Sequence, residues 1–198
     1  FDKKNFVNEI VWWYKRLTAA SNKFQRMHDT IFFYSRSDKY KFNQLFQPLA
    51  ESTKKVHGDT KRINVLNEEG IMITKKTEEK SEGVQMHDVW EIPFVVEHSQ
   101  EQSGYDTQKP VELLGRIIDA STNEGDLVAD FFVGSGTTAI AAEGWRTRKE
   151  GDKTIYFNNF NPRRWLGCDL GKVSIHAVRA QLVKYDAKPF LIENIGNY

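Results

Sequence analysis

A single cysteine, Cys168, in a chain of 198 residues excludes a disulfide framework, because one thiol has no partner within the chain. Its setting in "RRWLGCDL" reads as a strand, where a lone thiol packs as a small hydrophobe and does not act as a nucleophile. No apolar run reaches the roughly 20 residues needed to cross a bilayer. The N-terminus also lacks the charged, apolar and small-residue succession of a secretory signal, so a cytoplasmic location is expected. Repeats and low-complexity tracts are absent too. With 39% hydrophobic and 28% charged residues, the composition is that of a folded domain and not of a disordered segment. The chain opens on Phe1 instead of methionine and runs almost at once into strand-like sequence, which leads us to expect a piece of something longer.

A net charge of +1 conceals an uneven distribution. Residues 1–62 carry 13 Lys and Arg against 6 Asp and Glu, residues 63–106 carry 3 against 10, and the remainder is balanced at 12 against 11. A basic N-terminal third beside an acidic middle points to a polyanion partner for the basic part.

Two stretches near the N-terminus, "NFVNEIVWWYKR" and "HDTIFFYSRS", are rich in β-branched and aromatic residues with partial alternation and read as strands. The polar, basic connection "LTAASNKFQRM" between them is too long for a tight turn. Further on, "QPLAESTKKV" predicts a short helix with Pro48 near its first turn, and "INVLNEEGIMITKKTEEKSEG" a small hairpin with an exposed loop. In "KPVELLGRIIDAST" the apolar residues Val111, Leu114, Ile117 and Ile118 fall at helical spacing, with Pro110 suited to a first turn. A strand over 127–132, a glycine loop, a helix over 137–144, a polar insertion, a strand over 165–169 and a helix over 172–185 follow. Strand and helix in alternation argue for an α/β fold with a parallel sheet.

The glycine loop raises the question of a cofactor. Gly134-Ser135-Gly136-Thr137-Thr138-Ala139 satisfies the G-x-G-x-x-G/A fingerprint of dinucleotide sites. Two features oppose a pyrophosphate. Asp130, four residues before Gly134, would repel phosphates gathered at a helix N-terminus and would favour a cationic ligand. The next acidic strand end, Asp169, comes 33 residues after Gly136, instead of the roughly 20 of a dinucleotide fold. S-adenosylmethionine fits better, since it carries an ammonium and a sulfonium, no phosphate, and a ribose whose hydroxyls suit a carboxylate.

"DFFVGSGTTA", preceded by "TQKPVELLGRII" and followed by "RRWLGCDLG", resembles the cofactor half of bacterial DNA amino-methyltransferases of the circularly permuted β class, including the modification subunits of type III restriction systems. "NFVNEIVWWYKR…FQRMHDTIFFYSRS" resembles the segment that follows their catalytic motif. The likeness covers roughly residues 1–43 and 104–185. The middle of the chain and the insertion "RTRKEGDKTIYFNNFNP" depart from it, as does Phe131, where proline is commoner. The resemblance implies a Rossmann-like methyltransferase fold, with a mostly parallel sheet flanked by helices and incomplete at its N-terminal side. It implies that Asp130, Gly134 and Gly136 surround the methionine end of S-adenosylmethionine, that Thr107 and Lys109 hold its carboxylate, and that Asp169 accepts from the ribose hydroxyls. Phe132 and Thr137 complete the cofactor set.

Members of that family grip the target amino group with a tetrapeptide such as Asp-Pro-Pro-Tyr, which positions the flipped base and raises the nitrogen's electron density. The chain holds no Pro-Pro pair. The nearest sequences, "NPRR" at Asn161 and "EIPF" at Glu91, lack the second proline and a suitable aromatic, so no catalytic residue is assigned and the tetrapeptide is expected upstream of Phe1. The domain expectation is a strand segment flanking the base pocket over 1–43, a variable region with a possible target-recognition insertion over 44–103, and the S-adenosylmethionine half over 104–198. Lys15, Arg16, Lys23, Arg26 and His28 are candidates for contact with double-stranded DNA, and Trp12, Trp13 and Tyr34 for the base pocket. Of two adjacent tryptophans in a strand, one should face each side. The resemblance thus implies transfer of a methyl group to an exocyclic amino group of DNA in a restriction-modification system, with adenine favoured over cytosine. The chain alone would be inactive, completed by a homodimer contact, an upstream segment or a restriction subunit. Two other readings stay open: a non-catalytic DNA-binding or specificity subunit, and a nicotinamide-dependent oxidoreductase.

Overall fold

The computed structural model describes residues 2–16, 22–151 and 153–196. Part of the predicted connection between the first two strands, residues 17–21, and Asp152 of the predicted insertion lie outside the described residues, as do Phe1, Asn197 and Tyr198. The chain divides into two compact units, residues 1–43 with 88–198, and residues 44–87.

In the larger unit, a 3-10 turn at Lys3–Asn5 leads into β1 (Phe6–Trp13) and β2 (His28–Tyr34). The smaller unit comprises β3 (Phe46–Gln47), α1 (Glu51–His57), β4 (Thr60–Leu66), β5 (Met72–Lys80) and β6 (Val84–Gln85). The larger unit then resumes with β7 (Val89–Glu91), α2 (Val111–Ser121), β8 (Leu127–Asp130), α3 (Thr137–Ala142), β9 (Trp145–Glu150), β10 (Lys153–Asn158), β11 (Arg164–Gly167) and α4 (Lys172–Lys184).

In the smaller unit β4 and β5 form the expected antiparallel hairpin, and β3 pairs with β6. Pro48 lies outside α1, two residues before its N-cap Ala50. Pro110 likewise stands just outside α2 as its N-cap: its ψ of 144° is extended, and its carbonyl accepts the first helical bonds from Leu113 and Leu114. Both prolines therefore precede the helices that were expected to contain them.

The larger unit bears out the expectation of a mostly parallel sheet only in part, since its pairings are mixed. β1 pairs with β2 antiparallel and with β7 parallel, β8 pairs with β11 parallel, and β9 pairs with β10 antiparallel. Parallel pairing occurs where a long crossover separates the partners, as between β8 and β11, whereas short connections allow antiparallel hairpins. The predicted polar insertion is itself such a hairpin, β9–β10, with Gly151 at φ 61° in its turn. β8 and β11 are each two residues shorter than predicted at their C-terminal ends, because the chain leaves strand geometry to build the loops that follow.

The core forms around α3. Ala139, Ile140, Val133, Val111, Val178, Leu182 and Tyr185 make one buried cluster, and Ile118, Ala141 and Ala142 make a second, with Trp165 packed against both. Fully buried aliphatic side chains such as Ile140 and Leu182 contribute roughly 1.5–3 kcal/mol each. The six residues of α3 are short for an independent helix, so this packing holds it in place. Cys168 is exposed, which corrects the packed position expected of it. The strand face that carries Leu127 and Leu166 is open, with these residues 56% and 54% exposed.

Asp119 at the C-terminal end of α2 gathers two guanidiniums. It accepts from Arg146 Nε at 2.8 Å and Nη2 at 2.5 Å, and lies 3.3 Å from Arg163 Nη2. Both arginine side chains are nearly buried, and burial lowers the Arg163 pKa. Asp119→Ala would leave two buried cations without their shared carboxylate. The expected cost is about 3 kcal/mol of unfolding free energy in a urea titration; a change below about 0.5 kcal/mol would show that the network contributes nothing.

Candidate functional site

The parallel pair β8–β11 carries the site at its C-terminal end. Asp130 and Gly167 are opposite in register, and the ladder runs on beyond the formal strands: Cys168 N–H donates to Asp130 O at 2.9 Å, and Val133 N–H to Cys168 O at 3.0 Å. The chain then turns away at Gly134. There Asp169 intervenes, its carboxylate accepting from Gly134 N–H at 3.0 Å and Gly171 N–H at 2.8 Å. These backbone donors, Gly171 foremost, hold its pKa below the ordinary carboxylate value.

Asp130 is similarly engaged. One oxygen accepts from Phe132 N–H at 3.0 Å, and the other from the Thr138 hydroxyl at 2.5 Å. Ser135 and Thr137 hydroxyls meet at 3.1 Å, and both residues are buried. Gly136 has φ 88°, and a Cβ there would come within 3.1 Å of Val178 Cα. Only glycine allows that turn together with the close approach of α3 to α4. Phe132, by contrast, is 89% exposed.

Thr107 and Lys109 lie in the segment that precedes α2. Tyr105, two residues before Thr107, places its ring 3.4 Å from the position of a Cβ on Gly134, and its hydroxyl lies 3.1 Å from the Ser174 hydroxyl of α4. Gln108 braces the segment by accepting from Ser103 N–H and donating to the Glu101 carbonyl. Glu101 is buried and accepts from Val111 N–H at 2.8 Å, capping α2 from outside the helix; burial raises its pKa. Thr107 and Lys109 are exposed, with Lys109 Nζ 3.4 Å from Thr107 O and 5.9 Å from the Trp12 ring centroid. Sequence reasoning missed Tyr105, Ser174 and Glu101. An aromatic in "GYDTQKP", just before a proline-capped helix, was the available signal for the first; nothing local marked the others.

Trp12 and Trp13 face opposite sides of β1, as alternation requires. Trp12 is 1% exposed, donates Nε1–H to Ile92 O at 2.8 Å and packs edge-on to Tyr14 and Phe94, so it belongs to the core and not to a base pocket. Trp13 is 37% exposed and stands opposite His28. Tyr34 packs edge-on against Phe6. Lys15, Arg16, Lys23, Arg26 and His28 are all exposed. Arg26 donates to His28 O and pairs with Asp29 at 3.5 Å. Of the tetrapeptide-like sequences, Asn161 precedes β11 by three residues, beyond the end of that strand remote from Asp130. Glu91 ends β7 opposite Trp13.

A family model described as DNA methylase, of the N6/N4 type, matches residues 1–179. The chain belongs to this DNA methylase family. Among relatives, it is 32% identical over 174 residues to the type II methyltransferase M1.MboII of Moraxella bovis, covering 83% of this chain and 58% of that enzyme. It is 48% identical over 65 residues to the type II methyltransferase M2.DpnII of Streptococcus pneumoniae, covering 33% and 24% of the two chains. The DNA methylase chain thus spans a little over half of the Moraxella relative. Two solved structures share the fold. PvuII DNA methyltransferase, described as cytosine-N4-specific, has a TM-score of 0.54 at 15% identity, covering 96% of this chain and 54% of its own. The M1.HpyAVI complex with S-adenosylmethionine has a TM-score of 0.50 at 18% identity, covering 89% and 62%.

The stability that the depressed pKa of Asp169 supplies is fully present above its unfolded value of about 4 and is lost as pH falls through the lower folded value. The unfolding free-energy gap between the native protein and Asp169→Asn should therefore hold steady between about pH 5 and 7 and narrow below about pH 4. A gap that persists unchanged into acid would contradict the ionised clasp.

Proposed function

We propose that the chain is the cofactor half of an S-adenosylmethionine-dependent DNA amino-methyltransferase, and that the target-gripping tetrapeptide comes from a segment outside these 198 residues. The observation that carries the reading is electrostatic. Asp130 and Asp169 flank the glycine loop, and residues 130–138 and 167–171 contain no lysine or arginine. A pyrophosphate would meet two carboxylates there, whereas an ammonium and a sulfonium would be stabilised by them. When bound, S-adenosylmethionine supplies an electrophilic methyl group.

The residues present fit that group. In this reading Asp169 accepts from the ribose hydroxyls in addition to Gly134 N–H and Gly171 N–H. Lys109 and Thr107 are exposed, and in this reading they meet the α-carboxylate, the lysine through a charge-assisted hydrogen bond. Gly134 and Gly136 allow close approach to the backbone, Thr137 fixes the start of α3, and exposed Phe132 offers a face to an aromatic ring. In this reading Lys15, Arg16, Lys23, Arg26 and His28 contact duplex DNA, and the region 44–103, including the unit of 44–87, serves target recognition.

Support for an outside segment comes from the β8–β11 pair. Among the described residues β8 pairs with β11 alone, and Leu127, Phe131 and Leu166 leave an apolar strip exposed. A further strand would satisfy that edge and cover the strip. The absence of a Pro-Pro pair and the 58% span of the Moraxella enzyme agree with such a division. The permuted motif order and a restriction-modification setting, type III included, belong to the same reading. The target is an exocyclic amino nitrogen, with adenine N6 favoured over cytosine N4.

The test is a radiolabelled methyl-transfer assay on unmethylated bacterial DNA, with product nucleosides separated. The chain alone should transfer nothing, and adding a segment that ends in an Asp-Pro-Pro-Tyr-type tetrapeptide should yield labelled N6-methyladenine. Turnover by the chain alone would overturn the division of labour. DNA binding without transfer in the completed protein would favour a specificity subunit.

A further inference from the structure

The hairpin β9–β10, where the sequence departs from the family resemblance, climbs along α2. Arg146 anchors its base: besides Asp119, its Nη1 donates to Ala141 O at 2.6 Å, and a Cβ on Gly115 would stand only 2.9 Å from Arg146 Cδ. From Arg146 to Lys149 the strand rises about 10 Å, and from Asp119 back to Glu112 the helix rises about 10.5 Å. The two elements therefore run alongside one another in opposite directions, which brings the Lys149 charge to bear on the Glu112 carboxyl in the first turn of α2. On the face of the hairpin that carries Lys149, Tyr156 reaches Glu101 Oε1 at 3.4 Å.

The hairpin thus delivers Lys149 to a cleft of about 320 Å³ that it lines together with Trp13, Tyr14, Lys15, Glu91 and Pro93. Lys15 arrives there from the end of β1, so lysines from separate parts of the chain line the same cleft. Neither forms an ion pair among the described residues; Lys149 donates only to the neutral Thr154 hydroxyl, at 2.9 Å. Among the described lining residues Glu91 is the one carboxylate, against the two lysines. Arg16 lies next in the chain, its guanidinium 5.7 Å from the Phe94 ring centroid, and Trp13 keeps part of its ring in solvent.

We propose that this cleft is a backbone-phosphate site for duplex DNA, in which the inserted hairpin supplies Lys149 as a second phosphate contact beside Lys15. The inference rests on the DNA-methyltransferase reading and extends it to an element that the resemblance does not cover. Two ammoniums fixed on a strand end and on a hairpin braced against α2 contact phosphodiesters without reading bases, and each phosphate so neutralised adds to the salt dependence of binding.

Binding of a fluorescent duplex is measured by anisotropy over a range of salt concentrations, using the intact chain, Lys149→Ala, Lys149→Glu and Lys149→Arg. Lys149→Ala should weaken binding to unrelated duplexes alike and reduce the magnitude of the salt slope by about 0.9. Lys149→Glu should weaken binding further, and Lys149→Arg should restore the native slope. Melting temperatures should stay level for Lys149→Arg, which keeps the charge beside Glu112, and change little for Lys149→Ala, because Lys149 is exposed. Native binding with unchanged affinity and slope in Lys149→Ala and Lys149→Glu would overturn this inference alone. Absence of duplex binding by the intact chain would overturn it together with the DNA reading on which it rests.

Discussion

The carboxylate of Asp169 is the fastening on which the candidate site depends. By accepting from Gly134 N–H and Gly171 N–H, it ties the loop that opens α3 to the residue that caps α4. Those two helices then meet where Gly136 lies against Val178, and the cluster of Ile140, Val178 and Leu182 fills in behind. Asp130 makes a parallel contribution on the other side of the loop through Phe132 N–H and the Thr138 hydroxyl. Two acids thus shape the backbone from within. In the proposed reading, a loop held in this way favours a cation over a phosphate.

Much of this was legible in the sequence, for identifiable reasons. The glycine fingerprint, the helical spacing of Val111, Leu114 and Ile118, and the alternation around Trp12 and Trp13 each reflect a local constraint that one stretch of chain expresses by itself. Asp130 and Asp169 were legible as acids at strand ends. Their role as acceptors from the loop backbone was not, because the bond from Gly134 to Asp169 spans 35 residues. Glu101 escaped for the same reason: it caps α2 from ten residues away and carries no capping spacing.

The hairpin was missed on different grounds. "RTRKEGDKTIYF" is polar on both faces in much of its length, so it shows little of the hydrophobic alternation by which strands are read. The Gly-Asp pair in its sequence was the usable signal. What stabilises it is tertiary, the anchoring of Arg146 between Asp119 and the end of α3. The expectation of a mostly parallel sheet was met only in part, because strand-and-helix alternation was carried across a stretch in which a hairpin intervenes.

The account's central claim is that two acids at the glycine loop select a cationic, phosphate-free cofactor, and isothermal titration of the purified chain against S-adenosylmethionine and, separately, NAD tests it most directly. Saturable binding of S-adenosylmethionine at one site per chain, with no heat from NAD at the same concentrations, is the predicted result. Binding of NAD with equal or greater affinity would contradict it.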